Sequence, residues 1–322
     1  MSRVTRCIIA LTLCAGAVHA FAQAWPQKPV RVFIGFAPGG TPDIATRIIA
    51  PKLSENLGQP VIIENRPGAG GVIAMEFVSK APADAYTLAL GTVGTLVLAK
   101  ALIPTAPFDP ITSFTPIGAY AKVTFIVVTS TALPARTLKE FVALAKAQPG
   151  KFNYGSSTPG SPPHVLAEMF KLQAGIEVTG ITYKGSAEAV SRFLAGDTHM
   201  MVDAYPSLGP LVASGKAAPL LVTSPTRYRK MPDVPTAKEV GLPDYTVESW
   251  LGFVAPAGTP DAPVRRFNAE LVKTMAPKEM ADALDKIGLE PFTNSPQEFA
   301  ALIKSDWPKY NAAVKAAGIK PQ

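Results

Sequence analysis

From Val30 to Thr223 the chain repeats one unit: a short apolar run, a turn of small residues, and a stretch with apolar residues at helical spacing. Strands alternating with helices build largely parallel sheets, because a helix must carry the chain back before the next strand can run the same way. The first series has runs at Val30–Phe36, Val61–Glu64 and Tyr86–Gly91. Its helices run through Ile44, Ile48, Leu53 and Leu57 and over Val72–Lys80. Pro51 should kink or split the first of these, since it lacks an N–H and crowds the preceding turn. The second series has strands at Thr124–Thr129, Phe152–Ser156, Val178–Tyr183, His199–Ala204 and Pro219–Thr223, with helices at 137–147, 163–174, 187–195 and 207–214. Residues 102–118 and 225–245, rich in proline, are expected as loops. One more apolar run, Trp250–Ala255, and helices at 260–276, 278–287 and 296–316 close the chain.

Two such series with one long return predict an α/β protein of two lobes, each a mostly parallel sheet flanked by helices. A chain of 322 residues is also more than one compact core usually holds. The expected division is 25–123 with 226–322 as lobe 1 and 124–225 as lobe 2. In open α/β sheets ligands bind at the carboxyl ends of the strands, so the cleft between the lobes is the expected site.

The first two dozen residues stand outside this pattern. Arg3 and Arg6 precede an apolar run from Cys7 to Val18, and the small residues Ala22 and Ala24 flank Gln23. This predicts a secretory signal peptide cut after Ala24, with the mature protein in the periplasm. Both cysteines leave with it, and so do two positive charges and no acid, taking the formal charge from +7 to +7 − 2 = +5. With two histidines and no thiol left, neither a metal centre nor a cofactor is expected. A sequence pI near 9.3 raises nucleic acid as a partner. The basic residues are scattered, however, and a duplex binder concentrates them on one face, so none is expected.

The turns carry the functional signal. Phe36-Ala37-Pro38-Gly39-Gly40-Thr41-Pro42-Asp43 follows the first strand. Thr41 is suited to the helix cap, Pro42 to the first helical position and Asp43 to the first turn, while Gly39 and Gly40 let backbone N–H groups approach a ligand. Tyr154-Gly155-Ser156-Ser157-Thr158-Pro159-Gly160-Ser161-Pro162-Pro163-His164 offers four hydroxyls ahead of another helix. Tyr183-Lys184-Gly185-Ser186 and Asp203-Ala204-Tyr205-Pro206-Ser207 repeat the device. Helix N-termini lined with hydroxyls hold an anion without a fixed cation. At roughly 1.5–3 kcal/mol per charge-assisted hydrogen bond, about four support micromolar binding after desolvation.

These turns, with further segments in matching order, resemble the extracytoplasmic receptors of the tripartite tricarboxylate transporter family, the TctC-like or Bug proteins of Bordetella and relatives. The matching segments include Trp25-Pro26-x-Lys28-Pro29-Val30-Arg31, Phe36-Ala37-Pro38-Gly39-Gly40 and Glu64-Asn65-Arg66-Pro67-Gly68-Ala69-Gly70-Gly71. Tyr154-Gly155-Ser156-Ser157, Tyr183-Lys184-Gly185-Ser186, Pro232-Asp233-Val234-Pro235-Thr236, Ala255-Pro256-Ala257-Gly258-Thr259-Pro260 and Ala317-Gly318-Ile319 continue the match. The resemblance implies a type II-like Venus-flytrap receptor that closes on a small carboxylate and delivers it to integral membrane subunits. Carried over, its ligand residues are Phe36, Pro38, Gly39, Gly40, Thr41, Thr92, Ser156, Ser157, Thr158, Ser161, His164 and Asp203. Thr41-Pro42-Asp43, Pro162-Pro163 and Ala204 depart from the family pattern and favour a dicarboxylate or aromatic carboxylate over an amino acid. A monomer is expected.

The competing reading is a secreted serine hydrolase acting on a small ester. Gly155-Ser156-Ser157-Thr158-Pro159 approaches Gly-x-Ser-x-Gly, but proline stands where the nucleophile elbow needs a small residue. The dinucleotide fingerprint fares no better, since Ile73 occupies the third glycine position after Gly68-Ala69-Gly70-Gly71.

Overall fold

A computed structural model describes residues 25–316. The expected signal peptide, residues 1–24, and Ala317-Gly318-Ile319 lie outside the described residues. Among the described residues there are ten strands and ten α-helices, alternating along most of the chain. The first sheet runs β2 (Val61–Asn65), β1 (Val30–Ile34), β3 (Thr87–Thr92), β9 (Glu248–Pro256) and β4 (Phe114–Ser130). The second runs β6 (Thr179–Thr182), β5 (Asn153–Ser156), β7 (Met200–Ala204), β4 again and β8 (Ala217–Val222). Each sheet is therefore an open, mostly parallel array with one antiparallel strand: β9 in the first and β4 in the second. The short β10 (Glu290–Pro291) pairs with β4. The two-lobed α/β architecture expected from the alternation is what the chain adopts.

The helices are α1 (Thr41–Leu57), α2 (Val72–Ser79), α3 (Ala99–Leu102), α4 (Leu138–Ala147), α5 (Pro162–Ala174), α6 (Ser186–Ala195), α7 (Tyr205–Ala213), α8 (Asp261–Met275), α9 (Lys278–Lys286) and α10 (Pro296–Ala316). Strand alternation sorts the core. Met200 and Val202 of β7 join a large apolar cluster with Tyr154 and the α5 residues Val165 and Phe170. Met201 points the other way, into a smaller cluster with Ala189, Leu208, Val222 and Tyr228.

The 17-residue strand β4 corrects the expectation of a loop over 102–118 and a separate strand from Thr124. Through Thr124 it pairs with β9; from Phe125 it pairs with β7 and β8. Pro116 is accommodated because the register with β9 shifts between Pro116 and Gly118, a bulge where the missing N–H costs little. The chain returns beside this handover: Thr223 N–H donates to Phe125 O at 3.0 Å, and Val247 N–H donates to Thr223 O at 2.8 Å.

Pro51 does not split α1, which runs unbroken for 17 residues. Pro51 and Arg47 are both exposed, so the Arg47 carbonyl that loses its helical partner faces water. On the buried side, Thr46 Oγ1 bonds to Tyr120 Oη at 2.9 Å, anchoring α1 to β4.

Candidate functional site

Three turns gather at the carboxyl edge of the first sheet. After β1, Gly35 is packed so closely on Gly71 that an added Cβ would stand 2.7 Å from its Cα. Gly71 in turn abuts the Thr95 methyl. Residues 68–71 reach this position with positive φ at all four, including Ala69 at 47°. A π-helical turn, Val93–Leu98, follows β3 and is capped reciprocally by the Thr92 and Thr95 side chains.

The hydroxyl-rich turn after β5 meets this cluster from the second sheet. A Cβ added to Gly94 would lie 2.7 Å from Pro162 Cγ, one added to Gly160 would touch Leu102, and one added to Gly70 would stand 4.0 Å from Gly160 O. Ser156, Ser157 and Ser161 are buried, while Thr158 is exposed. Ser157 Oγ and Ser161 Oγ share a hydrogen bond at 2.7 Å, and Ser156 Oγ is buried without a partner among the described residues. Pro162 and Pro163 open α5, so its first two positions offer no N–H.

His164 sits half-buried on the first turn of α5, and its Nδ1 accepts the Gly160 N–H at 3.2 Å. Burial, the largest influence, and the Lys171 ammonium lower its pKa below the usual imidazole value, against the opposing Glu168 carboxylate. With Nδ1 committed to Gly160 and Ser157 committed to Ser161, the serine–histidine pair that hydrolysis requires is not assembled.

The first turn is held differently from the expectation. Gly40, not Thr41, is the cap of α1; Thr41 is already helical, and no side chain caps this end. Asp43 reaches back instead. Its Oδ2 accepts the Gly39 N–H at 2.9 Å, so that donor faces inward rather than toward a ligand. Its Oδ1 takes Arg47 Nε and Asn65 Nδ2, both at 2.9 Å, and Asn65 Nδ2 also reaches Phe36 O at 3.1 Å. Burial would raise the Asp43 pKa, but the Gly39 N–H, the Asn65 amide and Arg47 outweigh it and hold the carboxyl below its ordinary value. Phe36 is half-buried, and Pro38 and Gly39 are exposed beside the meeting point.

Asp203 lies at the end of β7, opposite Ile126 of β4, with only 3% of its surface exposed. Oδ1 accepts the Ala204 N–H at 2.7 Å, and Oδ2 has no partner among the described residues. Burial pushes its pKa up to about 6. The hydroxyls of Ser186 and Ser207 and the Ala204 N–H pull the other way, without giving Oδ2 a well-formed hydrogen bond.

The structure thus brings Ser156, Ser157, Ser161 and His164 against the turn that follows Thr92. The Phe36–Thr41 turn borders residues 68–71 through Gly35 and is tied to β2 through Asn65, and Asp203 stands on the other face of the second sheet. Sequence reasoning missed the roles of Asn65 and of Gly68–Gly71. The signal available for the latter was the run Gly-Ala-Gly-Gly, which is suited to left-handed backbone and close approach. A surface depression of about 600 Å³ is lined by Arg31, Ile73, Glu76, Phe77 and Lys80, and none of the predicted ligand residues lines it.

Residues 45–319 match the family described as tripartite tricarboxylate transporter family receptor, TctC. Protein BugT of Bordetella pertussis is 30% identical over 322 residues, 99% of either chain. Among solved structures, R. palustris Rpa4515 with adipate superimposes with a TM-score of 0.86 at 34% identity, covering 92% of this chain and all of that one. MatC from Rhodopseudomonas palustris with bound malate gives 0.83 at 28%, covering 90% and 100%. From the profile match and the near full-length relatives, the chain belongs to the tripartite tricarboxylate transporter receptor family.

Proposed function

We propose that this protein is an exported receptor that closes two lobes on a small carboxylate, a dicarboxylate above all, and hands it to integral membrane transport subunits. The observation that carries the reading is the meeting of Gly94 and Gly70 from one sheet with Pro162 and Gly160 from the other, both at carboxyl strand ends. That meeting puts buried seryl hydroxyls, one of them unpartnered among the described residues, on the turn where the two sheets touch. Hydroxyls and peptide N–H groups stabilise an anion through partial charge, as a receptor that must later release its ligand requires. The adipate and malate held by two relatives of the same fold support a dicarboxylate.

Phe36, Pro38, Gly40 and Thr41 from one lobe, and Ser156, Ser157, Thr158, Ser161 and His164 from the other, form the ligand surface, with Thr92 shaping the turn beneath it and Asp203 at the far end. Lobe 1 is 25–123 with 226–322, and lobe 2 is 124–225. The mature monomer starts at Trp25 in the periplasm. Intact mass of the secreted protein checks the cleavage after Ala24. A thermal-shift screen of carboxylates checks the ligand class, since a ligand at a hundred times its Kd stabilises by about 2.7 kcal/mol. A panel in which dicarboxylates leave Tm unchanged contradicts the proposal.

A further inference from the structure

We propose that the N-termini of α6 and α7, with Asp203 between them, form a subsite for the second carboxylate of a dicarboxylic ligand, in which that carboxylate and Asp203 share one proton. The inference rests on the carboxylate-receptor reading and specifies its ligand class.

Strand alternation places the subsite. β5 and β7 run parallel with Tyr154 opposite Met200, so Ser156, two residues beyond Tyr154, shares the α5 face of the sheet with Met200 and Val202. Asp203 shares the opposite face with Met201, toward α6 and α7. The carboxyl edge of this sheet therefore carries polar groups on both faces: Ser156, Ser157 and Ser161 on one, and Asp203, Ser186 and Ser207 on the other. A ligand lying across that edge meets both only if it is polar at each end.

The second end is built for an anion, yet already contains one. The helix caps are Gly185 and Ala204, and neither α6 nor α7 has a side-chain cap, so first-turn N–H groups other than the one Pro206 lacks remain as donors, while the Ala204 N–H already serves Asp203 Oδ1. Between these ends Asp203 is 97% buried with Oδ2 orphaned. Two carboxylates side by side do not both stay ionised; one proton taken from solvent satisfies both. Asp203 Oδ2–H then donates to a ligand oxygen, and the ligand's remaining lone pairs take helix N–H groups. The one bond formed is the O–H to that proton, which solvent gives up.

The ionisable groups on the packed elements are few. Lys184 and Tyr183 precede α6, Glu188 on α6 accepts the Lys184 N–H, Arg192 in its last turn pairs with Asp197, and Tyr205, which opens α7, packs on Tyr228. β4 presents Ile126, β5 presents serines, and His164 and Glu168 stand on α5 on the opposite face. Burial dominates Asp203, and no neighbouring charge contributes to its shift.

Calorimetric titration of succinate, adipate and malate, with hexanoate as the single-ended control, at pH 6.5, 7.5 and 8.5 in two buffers of different ionisation enthalpy tests this. In this window the dicarboxylates alone are dianions, and burial favours the neutral form of His164. The expected result is a dicarboxylate Kd that weakens about tenfold per pH unit, with uptake of about one proton. Hexanoate should bind more weakly, with a flat profile. In Asp203→Asn, whose amide supplies the donor permanently, dicarboxylate binding should lose its pH dependence. A flat wild-type profile without proton uptake overturns the subsite whether or not the variant folds. So does a slope that persists in Asp203→Asn, or hexanoate binding as tightly as adipate; each of these leaves the receptor reading standing. Failure of every carboxylate to bind overturns the receptor reading itself.

Discussion

Asp43 and His164 shape the two turns of the candidate site by opposite electrostatic routes. Asp43 stays ionised although buried, because it collects Gly39 N–H, Asn65 and Arg47. Its folded pKa lies below its unfolded one, so its contribution is complete above the unfolded value near 3.9 and is lost as pH falls through the folded value. Asp43→Asn should cost about 1–3 kcal/mol in urea unfolding at pH 7, with the gap to wild type narrowing at acid pH. His164 is also held below its unfolded pKa, near 6.5, but in its case the neutral form is favoured, as its Nδ1 bond from Gly160 requires. Its contribution is complete above pH 6.5 and fades as pH falls through the folded value. In His164→Ala, amide exchange at Gly160 should be fast at every pH, whereas in wild type it should lose protection only on acidification. An Asp in the first turn of a helix is legible in sequence as a dipole partner. That Asn65, 22 positions on, shares its oxygen is not, because the contact depends on β2 lying beside β1.

Among the elements, the π-helical turn after β3 is the most exacting. Thr92 and Thr95 cap it reciprocally, and Thr92→Ala should cost about 1 kcal/mol by thermal unfolding. Gly94, within the same turn, has no positive φ, so alanine is sterically excluded there only by its neighbours, chiefly Pro162 of the other sheet. Overpacking costs about 1–3 kcal/mol, here borne by the closed arrangement. Gly94→Ala should therefore weaken ligand binding between about fivefold and about a hundredfold with little change in the unliganded Tm. Equal affinity in the variant contradicts the lobe contact. Most elements were legible from alternation, including the helices that follow each turn. β4 was not, since Pro116 and the small residues Gly118, Ala119 and Ala121 resemble loop, and only pairing with β9 across a bulge makes them strand. The two residues of β10 carry no periodicity to detect.

Across the whole molecule, the two sheets repeat one order of strands and share β4, whose first part lies in one and second part in the other, while β9 brings the chain back into the first. The two bodies share this strand crossing and also touch where the turns at their carboxyl edges meet. Hydrogen bonds from Thr223 to Phe125 and from Val247 to Thr223 tie the crossing strands, while Tyr228 Oη–H donates to Gly288 O at 2.9 Å and links the return segment to the C-terminal helices. Closure about this crossing should shrink the radius of gyration in small-angle scattering when a dicarboxylate is added. If the meeting point of the two sheets recognises carboxylate charge through uncharged donors, titration of adipate and of dimethyl adipate into the mature protein at pH 6.5 separates charge from shape. Saturable heat from the diacid and none from the diester is the predicted result. A diester that binds as well as the diacid would show that shape and apolar area, not charge, select the ligand, and would contradict the account.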